Sequence, residues 1–141
     1  MLDGEIITQT LEIAAERCPD PAPLVYARLF AAQPEMEPLF VRDTDGSVKG
    51  EMLARVFEMM LDFIDQRAYG ARMIQCEVVT HDGYGVPPNL FGCFFSSVAE
   101  TVRELAGGDW TPGMAGAWET LLTELNWYVD HPDQTLQAPF A

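Results

Sequence analysis

The sequence His81-Asp82-Gly83-Tyr84-Gly85-Val86-Pro87-Pro88 separates two segments of helical character. The preceding residues, Met73 to Thr80, are compatible with a helix, and the two glycines that follow His81 interrupt it. The two prolines can then open a new helix, because proline suits the first helical turn and disrupts later ones. His81 is therefore predicted to end a short helix. It is one of two histidines in the chain, and the other, His131, is followed by Pro132 near the C-terminus.

The composition indicates one folded domain. The chain has 141 residues, of which 48% are hydrophobic, and a domain of this length buries roughly two-thirds of the surface that it exposes when unfolded. The formal net charge is -14, from 22 acidic and 8 basic residues. Such a charge repels phosphate backbones and anionic lipids, so we expect neither nucleic-acid nor membrane partners.

The sequence also bears on where the protein works. No apolar run reaches the length of a transmembrane helix, and the N-terminus, Met1 to Glu5, is acidic where a signal peptide would be basic. The three cysteines, Cys18, Cys76 and Cys93, are widely spaced and form no Cys-x-x-Cys pair. This pattern is typical of reduced thiols, and we expect a cytoplasmic protein.

Apolar residues recur at helical spacing along almost the whole chain, and no segment alternates convincingly as a strand. Helix starts are predicted where a capping side chain or a proline precedes an apolar periodic run. These start signals are Asp3, Asp20-Pro21, Ser47, Pro87-Pro88 and Thr111-Pro112. The helix opened by Pro87-Pro88 is predicted to continue to Gly107-Gly108. We therefore predict an all-α protein of about six to seven helices in crossed packing, with residues 1–130 as a single domain and residues 131–141 as an irregular tail.

The position of His81 suggests a chemical role. A neutral imidazole at the end of a short helix, between longer apolar helices, is a common way to present one axial nitrogen to a haem iron. Without a Cys-x-x-Cys-His attachment motif, such a haem would be bound non-covalently, as haem b. The alternative is that His81 only caps the helix end through a backbone hydrogen bond, with no cofactor.

Two further segments carry a family resemblance. The first is Val25-Tyr26-Ala27-Arg28-Leu29-Phe30-Ala31-Ala32-Gln33-Pro34-Glu35-Met36-Glu37-Pro38-Leu39-Phe40, and the second is Gly108-Asp109-Trp110-Thr111-Pro112, followed by Ala117-Trp118. Together with the His81 segment, in this order and spacing, they resemble the bacterial single-domain globins and the haem domain of flavohaemoglobins. The resemblance covers about residues 20–130, and it implies a globin fold around a haem pocket.

The resemblance implies that His81 is the proximal ligand of the haem iron and that Phe40 packs flat on the porphyrin. It also places Tyr84, Val86 and Phe91 at the cofactor. In the flavohaemoglobin pattern, the place of Phe91 holds a tyrosine that helps to hydrogen-bond the proximal histidine. We therefore expect a weaker electron push toward O–O bond cleavage in this chain.

On the distal side, the resemblance places Tyr26 where its hydroxyl can donate to bound oxygen, although a tyrosine here could equally be a core residue. Lys49 falls where a distal histidine or glutamine usually lies. Leu53 and Phe57 then face the iron from one and two turns further along. The ammonium of Lys49 could reach a haem propionate or water, or its desolvated neutral amine could approach the iron or the ligand.

The resemblance implies a haem protein that reversibly binds a diatomic gas, oxygen or nitric oxide, for transport, storage, sensing or scavenging. Two alternatives stay open. One is a nitric-oxide dioxygenase that uses a separate reductase, and the other is a haem-free globin-like module that binds a protein partner. A binding protein is favoured over an enzyme. Because like-charged surfaces repel, we expect a monomer, or a dimer formed through an apolar helix face.

Overall fold

The computed structural model of the chain describes residues 2–133. Within them lie seven α-helices: α1 (Gly4–Arg17), α2 (Ala22–Ala32), α3 (Ser47–Ile64), α4 (Gly70–Gly83), α5 (Pro88–Phe91), α6 (Cys93–Ala106) and α7 (Pro112–Asp130). Two 3₁₀ helices, Pro34–Phe40 and Gly107–Asp109, complete the secondary structure of the described residues, which contain no strand. The prediction of an all-α protein with six to seven helices is confirmed. Residues 134–141, most of the predicted irregular tail, lie outside the described residues.

None of the helices between Leu2 and Asp133 combines the length and the apolar composition that crossing a bilayer requires.

Two of the predicted helix starts carry the predicted cap. At the start of α1, the Asp3 carboxylate accepts a hydrogen bond from the backbone amide of Ile6 at 3.2 Å. At the start of α7, the Thr111 hydroxyl accepts one from the amide of Met114 at 3.1 Å. These side chains pair amides that the first helical turn leaves without an intrahelical acceptor. The local sequence alone therefore determines where these two helices begin.

The start of α3 differs from the prediction, because Ser47 is its first residue and not its cap. Gly46 precedes it in the left-handed region, with φ 77°, a conformation that glycine adopts without a steric penalty. The Asp45 carboxylate accepts the Ser47 amide at 3.0 Å, and the Asp43 carboxylate accepts the next two amides, each also at 3.0 Å. The two loop aspartates thus take the capping role that we had assigned to Ser47.

The helix predicted to run from Pro87-Pro88 to Gly107-Gly108 is divided into α5 and α6 at Gly92, so its prediction as one helix is wrong. Gly92 retains right-handed helical dihedral angles, with φ -64° and ψ -23°. A Cβ added to this glycine would lie 2.6 Å from Oδ1 of Asn126 in α7. The missing side chain lets α7 approach the junction between α5 and α6.

The core lies where α6 and α7 pack against each other and against α1, α2 and α4. Trp118 of α7 donates its indole N–H to the hydroxyl of Thr10 in α1 at 2.9 Å, and both side chains are buried. This bond pairs the one polar group of a large apolar side chain, as burial of tryptophan requires. The largest fully buried side chains are Phe63, Phe95, Ile7, Leu29, Met60, Ile74, Leu121 and Leu125.

A short connection holds the end of α3 against the start of α4. The Asp62 carboxylate of α3 accepts the backbone amides of Tyr69 and Gly70 at 3.0 and 2.7 Å. Gly70 lies so close to α3 that an added Cβ would stand 2.9 Å from the carbonyl oxygen of Met59. The two helices therefore meet at this end, and their other ends flank the candidate site.

The aspartate caps predict that the fold loses stability in acid. Hydrogen bonds from Ser47 lower the pKa of Asp45. At Asp43 and Asp62, burial alone would raise the pKa, but hydrogen bonds donated by backbone amides outweigh it, and the pKa of each carboxyl is lowered. Each carboxylate therefore stabilises the fold above the unfolded pKa, about 3.9 for aspartate. That contribution is lost as the pH falls through the lower folded pKa.

We expect the thermal unfolding temperature, followed by circular dichroism, to fall as the pH is lowered from about 5 to about 3. Asp62→Asn should unfold at a lower temperature at neutral pH and show a shallower pH dependence. The matched control is Asp65→Asn, which removes an exposed carboxylate from the same connection and should keep the wild-type profile. A profile of Asp62→Asn that runs parallel to the wild type would contradict this assignment.

Candidate functional site

A cavity of about 570 Å³ is lined by α3 and α4, with further contributions from the 3₁₀ helix Pro34–Phe40 and from α6. Five residues that the sequence placed at a cofactor line this cavity: Phe40, His81, Tyr84, Val86 and Phe91. Aliphatic, methionine and phenylalanine side chains supply most of its remaining wall, among them Leu29, Met36, Ile74, Phe94 and Phe95. The structure thus brings these five residues together around one largely apolar space.

The face of α3 that lines the cavity differs from the predicted face by one residue. The sequence comparison pointed to Lys49, Leu53 and Phe57, and none of these three lines the cavity. Leu53 is buried in the core, and Phe57 lines a separate cavity beside α1. The residues of α3 that do line it are Val48, Met52, Arg55, Val56 and Met59. Neighbouring residues of a helix point about 100° apart around its axis. A residue next to one that faces the cavity can therefore face the core.

His81 lies near the C-terminal end of α4 with its side chain 22% exposed. Its Nδ1 is 2.8 Å from the carbonyl oxygen of Glu77, one helical turn earlier. Because a carbonyl oxygen only accepts, Nδ1 carries the proton, and in the neutral ring Nε2 keeps its lone pair. The ring also contacts Phe91, with centroids 5.1 Å apart. His81 is therefore held in the tautomer that a metal ligand needs.

His131, the second histidine, has a different environment. Its ring stacks on that of Trp127, with centroids 4.2 Å apart, and its Nδ1 donates to the Trp127 carbonyl oxygen at 2.7 Å. It does not line the cavity. The expectation that only His81 is placed to act as a ligand agrees with this geometry.

Tyr26 lies behind the cavity wall rather than in it. Its ring is buried and contacts the rings of Phe40 and Phe94, both of which line the cavity, with centroids 5.4 Å apart in each case. Its hydroxyl donates to the backbone carbonyl of Lys49 at 3.1 Å. Burial, and after it the charge of Asp43, raises the pKa of Tyr26 well above its ordinary value. The hydroxyl therefore stays protonated and remains a hydrogen-bond donor.

Lys49 forms an ion pair at the edge of the cavity. Its Nζ lies 3.0 Å from Oδ2 of Asp43, whose side chain is only 3% exposed, and 5.7 Å from the centroid of the Phe40 ring. The ammonium thus lies against an aromatic ring and a buried carboxylate. The sequence suggested a propionate, water or the iron as partners of Lys49, and the structure adds Asp43 to them.

Arg42 and Arg55 were missed by the sequence reasoning. Both line the cavity and are exposed to solvent. Within residues 2–133, neither guanidinium has a carboxylate partner, whereas Arg17, Arg28 and Arg67 each form an ion pair. In a chain with 22 acidic residues, two arginines without a carboxylate partner beside one apolar cavity can bind an anionic group there.

Glu77 is a third residue that the sequence did not single out. It lines the cavity, and its carboxylate Oε2 lies 3.5 Å from Nδ1 of His81. Its position one turn before a candidate ligand on the same helix was the signal in the sequence that could have identified it.

Comparison with protein-family models matches residues 24–128 to the family described as Globin. Comparison with curated proteins and with solved structures finds no match. The matched segment covers well over half of the chain and contains every residue that lines the cavity.

Proposed function

The chain belongs to the globin family, and from this premise we propose that its cavity holds one non-covalent haem b whose iron takes a diatomic gas, oxygen or nitric oxide, as its ligand. Globins as a family bind haem and, through it, small gases. The observation that carries the proposal for this chain is His81, whose Nδ1 is paired with a carbonyl and whose ring lies at an apolar cavity.

The side chains around the cavity suit this group chemically. A haem combines an apolar macrocycle, an iron that accepts an imidazole nitrogen, and two carboxylates. Phe40, Phe91 and their apolar neighbours can cover the macrocycle, and Nε2 of His81 can bind the iron. The unpaired guanidinium groups of Arg42 and Arg55 can bind the two carboxylates.

Haem supplies the iron centre at which the gas binds. The residues of this chain position the group and exclude water. His81 holds the proton on Nδ1, and the apolar wall keeps water out of the cavity. Tyr26 is the proposed donor to the gas ligand, because its ring packs on two of the wall residues and its hydroxyl stays protonated. For that role the hydroxyl must exchange its present acceptor, the Lys49 carbonyl, for the ligand.

Reversible gas binding for transport, storage, sensing or scavenging is the role that we favour. Nitric-oxide dioxygenation with a separate reductase is the second candidate, and the Glu77 carboxylate beside His81 favours it, since a negative partner strengthens the proximal ligand. A likeness to bacterial single-domain globins and to flavohaemoglobins, a cytoplasmic location and a monomeric or dimeric state remain part of the proposal. The free thiols and the net charge of -14 support the last two.

Titration of the purified protein with haemin tests the proposed function. We expect an intense Soret band that saturates at one haem per chain and shifts when the reduced protein is exposed to carbon monoxide. Haem that binds without saturation, or with no response to carbon monoxide, would contradict the proposal. The chain would then fit the remaining alternative, a haem-free module that binds a protein partner.

A further inference from the structure

Glu77 places two acceptors beside the same nitrogen of His81. Its backbone carbonyl oxygen lies 2.8 Å from Nδ1, and Oε2 of its carboxylate lies 3.5 Å from the same atom. The two residues are one turn apart on α4, so the helix itself sets their separation. The single proton on Nδ1 thus faces a neutral acceptor at hydrogen-bond distance and a negative charge slightly further away.

The aromatic rings that pack beside the His81 ring carry no charge. They are Phe91 and Tyr84, whose ring centroids lie 5.1 and 6.2 Å from that of His81. Phe91 stands where the resembling proteins have a hydroxyl that helps to bind the proximal histidine. Among the ion pairs of the described residues, the imidazole is paired with the Glu77 carboxylate.

We propose that Glu77 is a positioning residue for His81: its carboxylate holds the proton on Nδ1 and makes Nε2 a stronger donor than a carbonyl alone would. An anion beside Nδ1–H draws the proton toward itself and leaves more electron density on the far nitrogen. The inference rests on the proposed function, since it concerns the strength of the bond from His81 to the haem iron.

The size of the effect is limited by solvent. The Glu77 side chain is 47% exposed, so water screens its charge. The carbonyl bond persists in any variant of the side chain. Loss of an outer partner of a metal ligand typically weakens metal binding by about 10- to 100-fold, and we expect Glu77→Gln to fall below that range.

The test compares Glu77→Gln with Glu16→Gln. Both substitutions remove one negative charge from an exposed or half-exposed helix position, but Glu16 lies on α1, which contributes nothing to the cavity. In the reduced, ligand-free holoprotein we expect the iron–histidine stretching band, measured by resonance Raman spectroscopy, to move to lower frequency in Glu77→Gln. The band of Glu16→Gln should keep the wild-type frequency. The band of Glu77→Asp, which keeps the charge on a shorter side chain, should lie between those of the wild type and Glu77→Gln.

A readout without haem separates this inference from the proposed function. In the apoprotein, at a pH at which the imidazole is neutral, the ¹⁵N resonances of His81 report which nitrogen carries the proton. We expect the Nδ1-protonated population to decrease in Glu77→Gln and to remain at the wild-type level in Glu16→Gln.

With haem bound, a Glu77→Gln stretching band equal to that of Glu16→Gln overturns the inference. If no haem binds, the proposed function fails, and equal ¹⁵N resonances in the two variants would then overturn the role of Glu77.

Discussion

His81→Ala is expected to abolish haem binding or to weaken it by roughly a hundredfold or more. Loss of a residue that only hydrogen-bonds a metal ligand weakens metal binding by up to about 100-fold, and this variant removes the ligand itself. The variant removes the nitrogen that the structure holds in the metal-binding tautomer at the cavity. Because the side chain is partly exposed and its main bond is to its own helix, the fold should tolerate the change. The measurement is a haemin titration followed by the Soret band.

His131→Ala is the matched control. It removes the only other imidazole, which stacks on Trp127 away from the cavity, and the spectrum should stay that of the wild type. Added imidazole should replace the missing axial ligand in His81→Ala and so restore part of the wild-type absorption spectrum. Equal losses of haem in the two histidine variants would refute the assignment of His81.

The elements that the sequence predicted well are those governed by local chemistry. Asp3 and Thr111 cap their helices because the acceptor and the amide that it pairs are three residues apart, whatever the rest of the chain does. The glycine-rich segment after His81 also predicted the end of α4 closely, because the helix stops at Gly83, two residues beyond His81. The family resemblance placed Phe40, His81, Tyr84, Val86 and Phe91 at one cofactor, and in the structure these residues line one cavity.

The rotation of α3 could not be predicted in the same way. This helix packs against the core on one side and lines the cavity on the other, so apolar residues cover both sides. Met52 and Val56 face the cavity, while Leu53 and Met60 are buried. An apolar stripe of this width is compatible with either face, and only the packing of neighbouring helices selects one.

The charged groups of the site depend on tertiary contacts. Nothing in the local sequence distinguishes Arg42 and Arg55 from the arginines that form ion pairs, because pairing depends on which carboxylates the fold brings near. Asp43 is a similar case. Its carboxylate caps α3 and also binds Lys49, which directs that ammonium to the edge of the cavity.

Tyr26→Phe should accelerate oxygen dissociation from the reduced holoprotein by roughly tenfold, measured by stopped-flow spectroscopy. A hydrogen bond to the gas ligand contributes about 1–3 kcal/mol, and each 1.4 kcal/mol corresponds to one decade in rate. The residue is the proposed donor because its protonated hydroxyl lies behind two residues of the cavity wall. The dissociation rate of carbon monoxide, which is less polar when bound, should change far less.

Tyr84→Phe is the control, since it removes a hydroxyl from an exposed side chain at the cavity and should leave the oxygen rate unchanged. The structure also offers a competing role for Tyr26, because its hydroxyl joins α2 to α3 through the Lys49 carbonyl. In that case Tyr26→Phe lowers the free energy of unfolding in urea by about 1 kcal/mol and leaves oxygen dissociation at the wild-type rate. That result would refute the distal role and leave Tyr26 as a link between the two helices.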